Sequence, residues 1–142
     1  MIINCPFCNI DQEKTRVIED GERVLVALSN PRLLPGHTLV IPKRHVEKIW
    51  ELDPEERKEL FDTAIEYQKK VIERYSKGCD IRQNYRPFLS QSDIKVDHVH
   101  IHLIPRENED KLYQKSMQFE HDMWARPSAE ELEKFVKLFG EK

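Results

Sequence analysis

Three histidines, His98, His100 and His102, occupy alternate positions of the run DHVHIHLIPR (97–106). Successive side chains on an extended strand point to opposite faces, so residues i, i+2 and i+4 share one. On a strand over 97–104 the three imidazoles line one face, and Val99, Ile101 and Leu103 line the other. Filling a core is a poor use for them, because each buried ring would need its own polar partner. Two uses remain. Neighbouring rings can share a catalytic metal, or one ring can act as a nucleophile while its neighbours assist. Neutral imidazole attacks phosphorus near neutral pH, and the phosphoramidate so formed is labile enough to turn over. Adjacent imidazoles then donate to phosphate oxygens as charge redistributes.

The second cluster is Cys5-Pro-Phe-Cys8. A redox C-x-x-C belongs at a strand-to-helix junction, and no such pattern follows Cys8. Two thiolates at this spacing suit half of a tetrahedral zinc site, with two ligands to come from among His37, His45, His98, His100, His102 and His121. An unmetallated structural pair is the other reading. Cys79 reads as a small buried strand residue.

These groups need elements to hold them. TRVIED (15–20) and ERVLVALS (22–29) read as strands joined at Asp20-Gly21, and HTLVIP (37–42) as a strand stopped by Pro42. Asp53-Pro54-Glu55-Glu56 announces a helix, along which Leu60, Phe61, Ala64, Ile65, Val71, Ile72 and Tyr75 make one apolar stripe assigned to the core. CDIRQNYRPFL (79–89) and DHVHIHLI (97–104) read as two more strands. Ser128-x-x-Glu131 opens a second helix, whose Leu132, Phe135, Val136 and Phe139 are likewise assigned to the core, and Trp124 is expected to be buried. Strands with one long central helix and a C-terminal helix make an α+β fold around a mostly antiparallel sheet of about five strands.

The chain has 142 residues, 39% hydrophobic and 35% charged, with no repeat or linker, and reads as a single domain. Its net charge of −3 argues against bulk nucleic acid as a partner. No stretch approaches the ~20 apolar residues of a membrane span, and MIINCPFCNI lacks the order of a signal peptide. A cytoplasmic location is expected.

HVHIHLIPR, with PGHTLVIPKRH (35–45) and the N-terminal CPFC, resembles the histidine triad (HIT) superfamily of nucleotide hydrolases and transferases. The resemblance covers residues 5–45 and 96–106 and implies the HIT-like fold over the whole chain. It implies that His100 attacks the α-phosphorus and that His102 hydrogen-bonds the phosphoryl group. In a zinc-containing subset of the family, the positions matching Cys5, Cys8, His45 and His98 hold a structural Zn2+ ion. It also implies a homodimer formed through the long helix and an edge strand.

The sequence departs from the family pattern in two places. Asp93-Ile94-Lys95 stands where many members carry Gly-Gln-Ser or Gly-Gln-Thr, which makes Lys95 a candidate phosphate ligand, a point charge in place of a shaped donor. Asn84 and Arg86 are further candidates beside it. Ser29 and Asn30 stand where members often carry a ribose-binding Asp, and are candidates for the sugar hydroxyls. Phe7, Ile10, Leu25, Ala27 and Leu28 are candidates for an apolar base slot. The expected function is nucleotidyl hydrolysis or transfer through a nucleotidyl-histidine, with a purine dinucleoside polyphosphate as leading substrate and a nucleoside phosphoramidate as the alternative. A zinc-stabilised nucleotide-binding module without turnover, and a metalloenzyme using the triad as ligands, are the rival readings.

Overall fold

β-branched runs that alternate or stay apolar throughout give five strands, which pair as one antiparallel sheet in the order β1-β2-β3-β5-β4. In the computed structural model, which describes residues 4–140, these are β1 (Val17–Asp20), β2 (Val24–Leu28), β3 (Thr38–Pro42), β4 (Gly78–Arg82) and β5 (Ile101–Arg106). The α+β expectation holds, down to the number of strands. The chain divides after Asp110 into two units, each described by itself.

In the first unit, helix α1 (Pro54–Arg74) lies between β3 and β4 in sequence. Asp53 caps it as expected, and the Glu56 carboxylate accepts the Asp53 amide at 2.8 Å. Leu60, Ala64 and Tyr67 of α1 join Val24, Val26, Val40, Ile101 and Leu103 in one core cluster. The Glu59 carboxylate accepts the amides of Arg23 and Val24 at 2.7 and 2.9 Å, tying α1 to the β1–β2 turn.

The single apolar stripe expected on α1 is in fact two. Leu60 and Ala64 face the sheet, whereas Phe61, Ile65, Ile72 and Tyr75 are exposed, Ile65 at 59%. At ~100° per residue, Phe61, Ile65 and Ile72 fall on a line turned by about that angle from Leu60 and Ala64. One sheet face can cover only the first line.

All five strands differ in bounds from the expectation, two of them substantially. The ladder between β3 and β5 ends at Val40↔Ile101, so His98 and His100 precede β5 and are not inside it. Pro42 is the reason. It has no amide to offer a continuing ladder, and β3 stops there. Extended alternation nonetheless persists through 98–102, with Val99 and Ile101 buried at 2% and 0%. Likewise β4 stops at Arg82, and residues 83–89 form a loop that turns between Arg86 and Leu89.

The second unit begins at Lys111 and holds irregular helical turns over Tyr113–Met117, the short α2 (Gln118–Glu120) and the turn His121–Met123, then α3 (Ala129–Gly140). Ser128 caps α3, its hydroxyl accepting the Glu131 amide at 3.1 Å. The core assignment for this helix is corrected. Leu132, Phe135, Val136 and Phe139 are all exposed, and Trp124 is 86% exposed. Within the second unit α3 has no substantial packing against another described element, so its apolar stripe stays open.

Candidate functional site

The bend at Pro42 sets the site. Beyond it the Lys43–Val46 loop turns toward the segment before β5, and the Val99 amide donates to the Val46 carbonyl at 2.7 Å. That bond draws His45 and His98 together. Arg44 fastens the same loop to α1 through a two-pronged ion pair with Glu56, at 3.1 and 2.7 Å.

Cys5, Cys8, His45 and His98 offer four donor atoms, all within 4.8 Å of one another. The separations are 3.4 Å for Cys5 Sγ to His98 Nδ1, 3.3 Å for Cys8 Sγ to His45 Nδ1, and 3.6 Å for Cys8 Sγ to His98 Nδ1. The two Nδ1 atoms are 3.2 Å apart. Metal–sulfur bonds of ~2.3 Å and metal–nitrogen bonds of ~2.0–2.1 Å at a tetrahedral angle give edges of about 3.3–3.8 Å, close to these four separations.

The hydrogen bonding points the same way. His98 Nε2 donates to the Pro42 carbonyl at 2.7 Å, and His45 Nε2 faces the Glu47 carboxylate at 3.4 Å. Each ring therefore carries its proton on Nε2 and turns the Nδ1 lone pair into the cage. Two lone pairs facing each other call for a cation between them. Burial pushes the Cys5 thiol above its ordinary range, so its thiolate form needs that charge as well. The cluster is able to bind a metal ion, and the residues present fit one.

His100 and His102 form a second group outside that cluster. Their ring centroids are 4.7 Å apart, and Phe7, from between the two cysteines, packs edge-on against His100 at 4.9 Å. His100 Nδ1 donates to the His98 carbonyl at 2.6 Å, which leaves Nε2 as the lone-pair nitrogen. Burial lowers the His100 pKa, so the ring is neutral at physiological pH.

His102 sits opposite Leu39 in β3 and opposite Arg82 in β4. His37, on the same face two residues before Leu39, reaches it. The Leu33 amide donates to His37 Nδ1 at 3.0 Å, and His37 Nε2 lies 2.9 Å from His102 Nδ1. A backbone amide can only donate, so His37 carries its proton on Nε2 and gives it to His102 Nδ1. His102 is thereby a donor at Nε2. Burial holds His37 near 4 and His102 near 3, with the positive charge of Arg82 adding to both shifts. Sequence reasoning placed His37 only among the histidines that could complete a zinc site. Its signal was its place two residues before Leu39, on the face that His102 shares.

Asn84, Arg86 and Lys95 line one cavity of about 140 Å³ together with His98 and Val99. Lys95 is ion-paired with Asp97, and Ile94 is 84% exposed at the tip of a tight turn between Ser92 and Lys95. Ser29 and Asn30 do not join this cavity. The Ser29 hydroxyl donates to the Pro31 carbonyl at 2.7 Å and the Asn30 amide to the Lys14 carbonyl at 2.6 Å. Of the base-slot residues, Phe7 lies against His100, whereas Leu28 alternates away from Ala27 onto the other sheet face and is 40% exposed.

Residues 9–109 match the HIT domain family model. Protein hit of Bacillus subtilis is 36% identical over 107 residues, 72% of this chain and 71% of its own length. Adenosine 5'-monophosphoramidase of Schizosaccharomyces pombe is 32% identical over 112 residues, 76% of this chain and 78% of its own. Among solved structures, a zinc-bound histidine triad family protein from Mycobacterium smegmatis superposes with a TM-score of 0.64 at 30% identity, covering 77% of this chain and 79% of that one.

Proposed function

Because the chain belongs to the HIT family, we propose that it is a nucleotidyl hydrolase in which His100 is the nucleophile and His102 donates a hydrogen bond to the phosphoryl group. The observation that carries this reading is the pair of assigned tautomers. His100 presents a bare Nε2 and His102 an Nε2–H, on neighbouring rings of one face. The His100 Nε2 lone pair attacks the α-phosphorus in line, and an N–P bond forms as the P–O or P–N bond to the leaving group breaks. The leaving group departs with the bonding electrons and takes up a proton. His102 Nε2–H and nearby amides donate to the phosphoryl oxygens. Water then attacks phosphorus, the N–P bond breaks, and a nucleoside monophosphate is released with His100 regenerated.

The substrate class this reading favours is a dinucleoside polyphosphate, supported by the cationic cavity lined by Arg86, Lys95 and Lys48 beside the triad. The asymmetrical bis(5'-nucleosyl)-tetraphosphatase of Schizosaccharomyces pombe is 36% identical over 78 residues, 55% of this chain and 42% of its own length. A nucleoside phosphoramidate is the second reading, favoured by the longer match to the phosphoramidase. Cys5, Cys8, His45 and His98 would hold Zn2+ in a structural role, because four protein ligands leave no position open for water. Its chemistry is confined to holding the Cys5–Cys8 loop, and hence Phe7, against the triad strand.

The chain works as a cytoplasmic homodimer of single HIT domains in this reading. Support comes from the exposed row Phe61, Ile65 and Ile72 on α1 and from the open edge of β4. No helix among the described residues is long and apolar enough to cross a membrane.

The decisive experiment is a single-turnover acid-free quench with labelled nucleotide. Wild type is expected to trap label on a histidine and His100→Ala to trap none. Full activity in His100→Ala would end the proposal.

A further inference from the structure

The cavity beside the triad continues into an aromatic platform that the reaction at His100 does not itself require. Tyr85 lines the cavity, and its ring meets that of Trp50 edge to face with centroids 5.4 Å apart. Both remain open to solvent, Trp50 at 64% and Tyr85 at 44%. Trp50 sits on the 3-10 turn Ile49–Glu51, which is anchored by the Arg44 guanidinium donating to the Glu51 carbonyl at 3.0 Å. The two rings come from elements far apart in sequence, so the pair is a product of the fold.

Charge surrounds this pair unevenly. Lys48 and Arg86 line the same cavity, and among the described residues neither has a carboxylate within ion-pairing distance. The Lys48 ammonium lies 5.9 Å from the Trp50 ring centre. The two carboxylates of the cavity are both engaged, Asp97 with Lys95 and Glu47 with His45 Nε2. The cavity reaches the segment just before the reacting pair, although neither His100 nor His102 lines it. His98 and Val99 form its wall, and Arg82, at the end of β4 just before the loop that carries Tyr85 and Arg86, pairs with His102. At about 140 Å³ it is well below the ~300–1,000 Å³ of a site enclosing a whole ligand, which makes it a subsite.

We propose that Lys48, Trp50, Tyr85 and Arg86 form a subsite for the leaving group, a second nucleoside joined through the distal part of a phosphate chain. The base stacks on the Trp50–Tyr85 pair, and Arg86 and Lys48 meet the phosphates between that base and the phosphorus attacked by His100. This assignment rests on the nucleotidyl-transfer reading, which it deepens by naming what leaves.

The test is calorimetric binding to full-length His100→Ala protein, which is not expected to turn over. Diadenosine tetraphosphate is expected to bind about tenfold tighter than AMP, the lower end of what one stacked base contributes. Adding Trp50→Ala and Tyr85→Ala together is expected to bring that ratio close to one, and Trp50→Phe, which keeps a ring, to preserve most of it. Both residues are exposed, and a thermal melt verifies that the variants fold. A ratio near one in the His100→Ala parent, or a ratio unchanged by the double substitution, would overturn the subsite. The underlying reading fails separately, through release of AMP by His100→Ala on chromatography.

Discussion

His37 Nε2 lies 2.9 Å from His102 Nδ1, and the proton on that line belongs to His37, because the Leu33 amide occupies the other nitrogen of His37. An amide in the loop before β3 thus determines which nitrogen of His102 carries its proton. His37 is a positioning residue in this arrangement.

His37→Ala leaves His102 free to move its proton to Nδ1. The expected result is a loss of kcat of about 10²-fold, the scale of losing one oriented oxyanion donor, with a smaller change in KM. Nitrogen NMR of the imidazoles gives the independent readout. It should find His102 protonated at Nε2 in the native protein and a mixture in the variant. Protonation at Nδ1 in the native protein would refute the relay.

Stability is expected to fall as pH drops from about 6.5 to about 3. The folded values of His37 and His102, near 4 and near 3, lie below the ordinary 6.5, chiefly through burial. The unfolded chain therefore binds more protons in that window, so unfolding becomes easier as acid is added, and the contribution of these rings is fully present only above 6.5. Scanning calorimetry across that range should show Tm falling with pH, and His102→Gln should flatten the dependence. An unchanged slope in that variant would count against the buried, neutral assignment.

Metal analysis of purified protein is expected to give about one zinc per chain. Cys8→Ser or His45→Ala should lower both metal content and Tm, since binding energy at a structural site is folding energy. Loss of the ion should also loosen Phe7 against His100, so that activity falls although no ligand touches phosphorus. Equal stability and turnover in a metal-free preparation would dismiss a structural ion here.

Phe61→Glu and Ile65→Glu place charge on the exposed row of α1. Light scattering is expected to show a dimer for the native chain and a monomer for these variants. A native chain that stays monomeric across micromolar concentrations would leave the row unexplained.

Gly36 adopts φ +83°, and a Cβ there would come within 3.1 Å of Pro105 and 3.2 Å of Tyr75. Gly36→Ala is expected to cost about 1–2 kcal/mol from the backbone alone, read from denaturant unfolding. Because this glycine leads directly into His37, activity should fall along with stability.

The sequence by itself determined the elements and the residue types offered for chemistry. Strand runs, the Asp53 cap, the Pro42 stop and the alternation of His98, His100 and His102 are local properties, governed by backbone sterics and a period of two. Spacing also marked the C-x-x-C, and the family pattern supplied His45 and His98 as its partners. What stayed hidden depended on contacts between distant segments. That Phe61 and Ile65 face outward while Leu60 and Ala64 face inward follows from how much of α1 one sheet can cover. The pairing of His37 with His102 follows from strand register, and that of Trp50 with Tyr85 from a fastened turn meeting a loop. A periodic pattern says that a residue has a face; only the packed neighbour decides what that face meets.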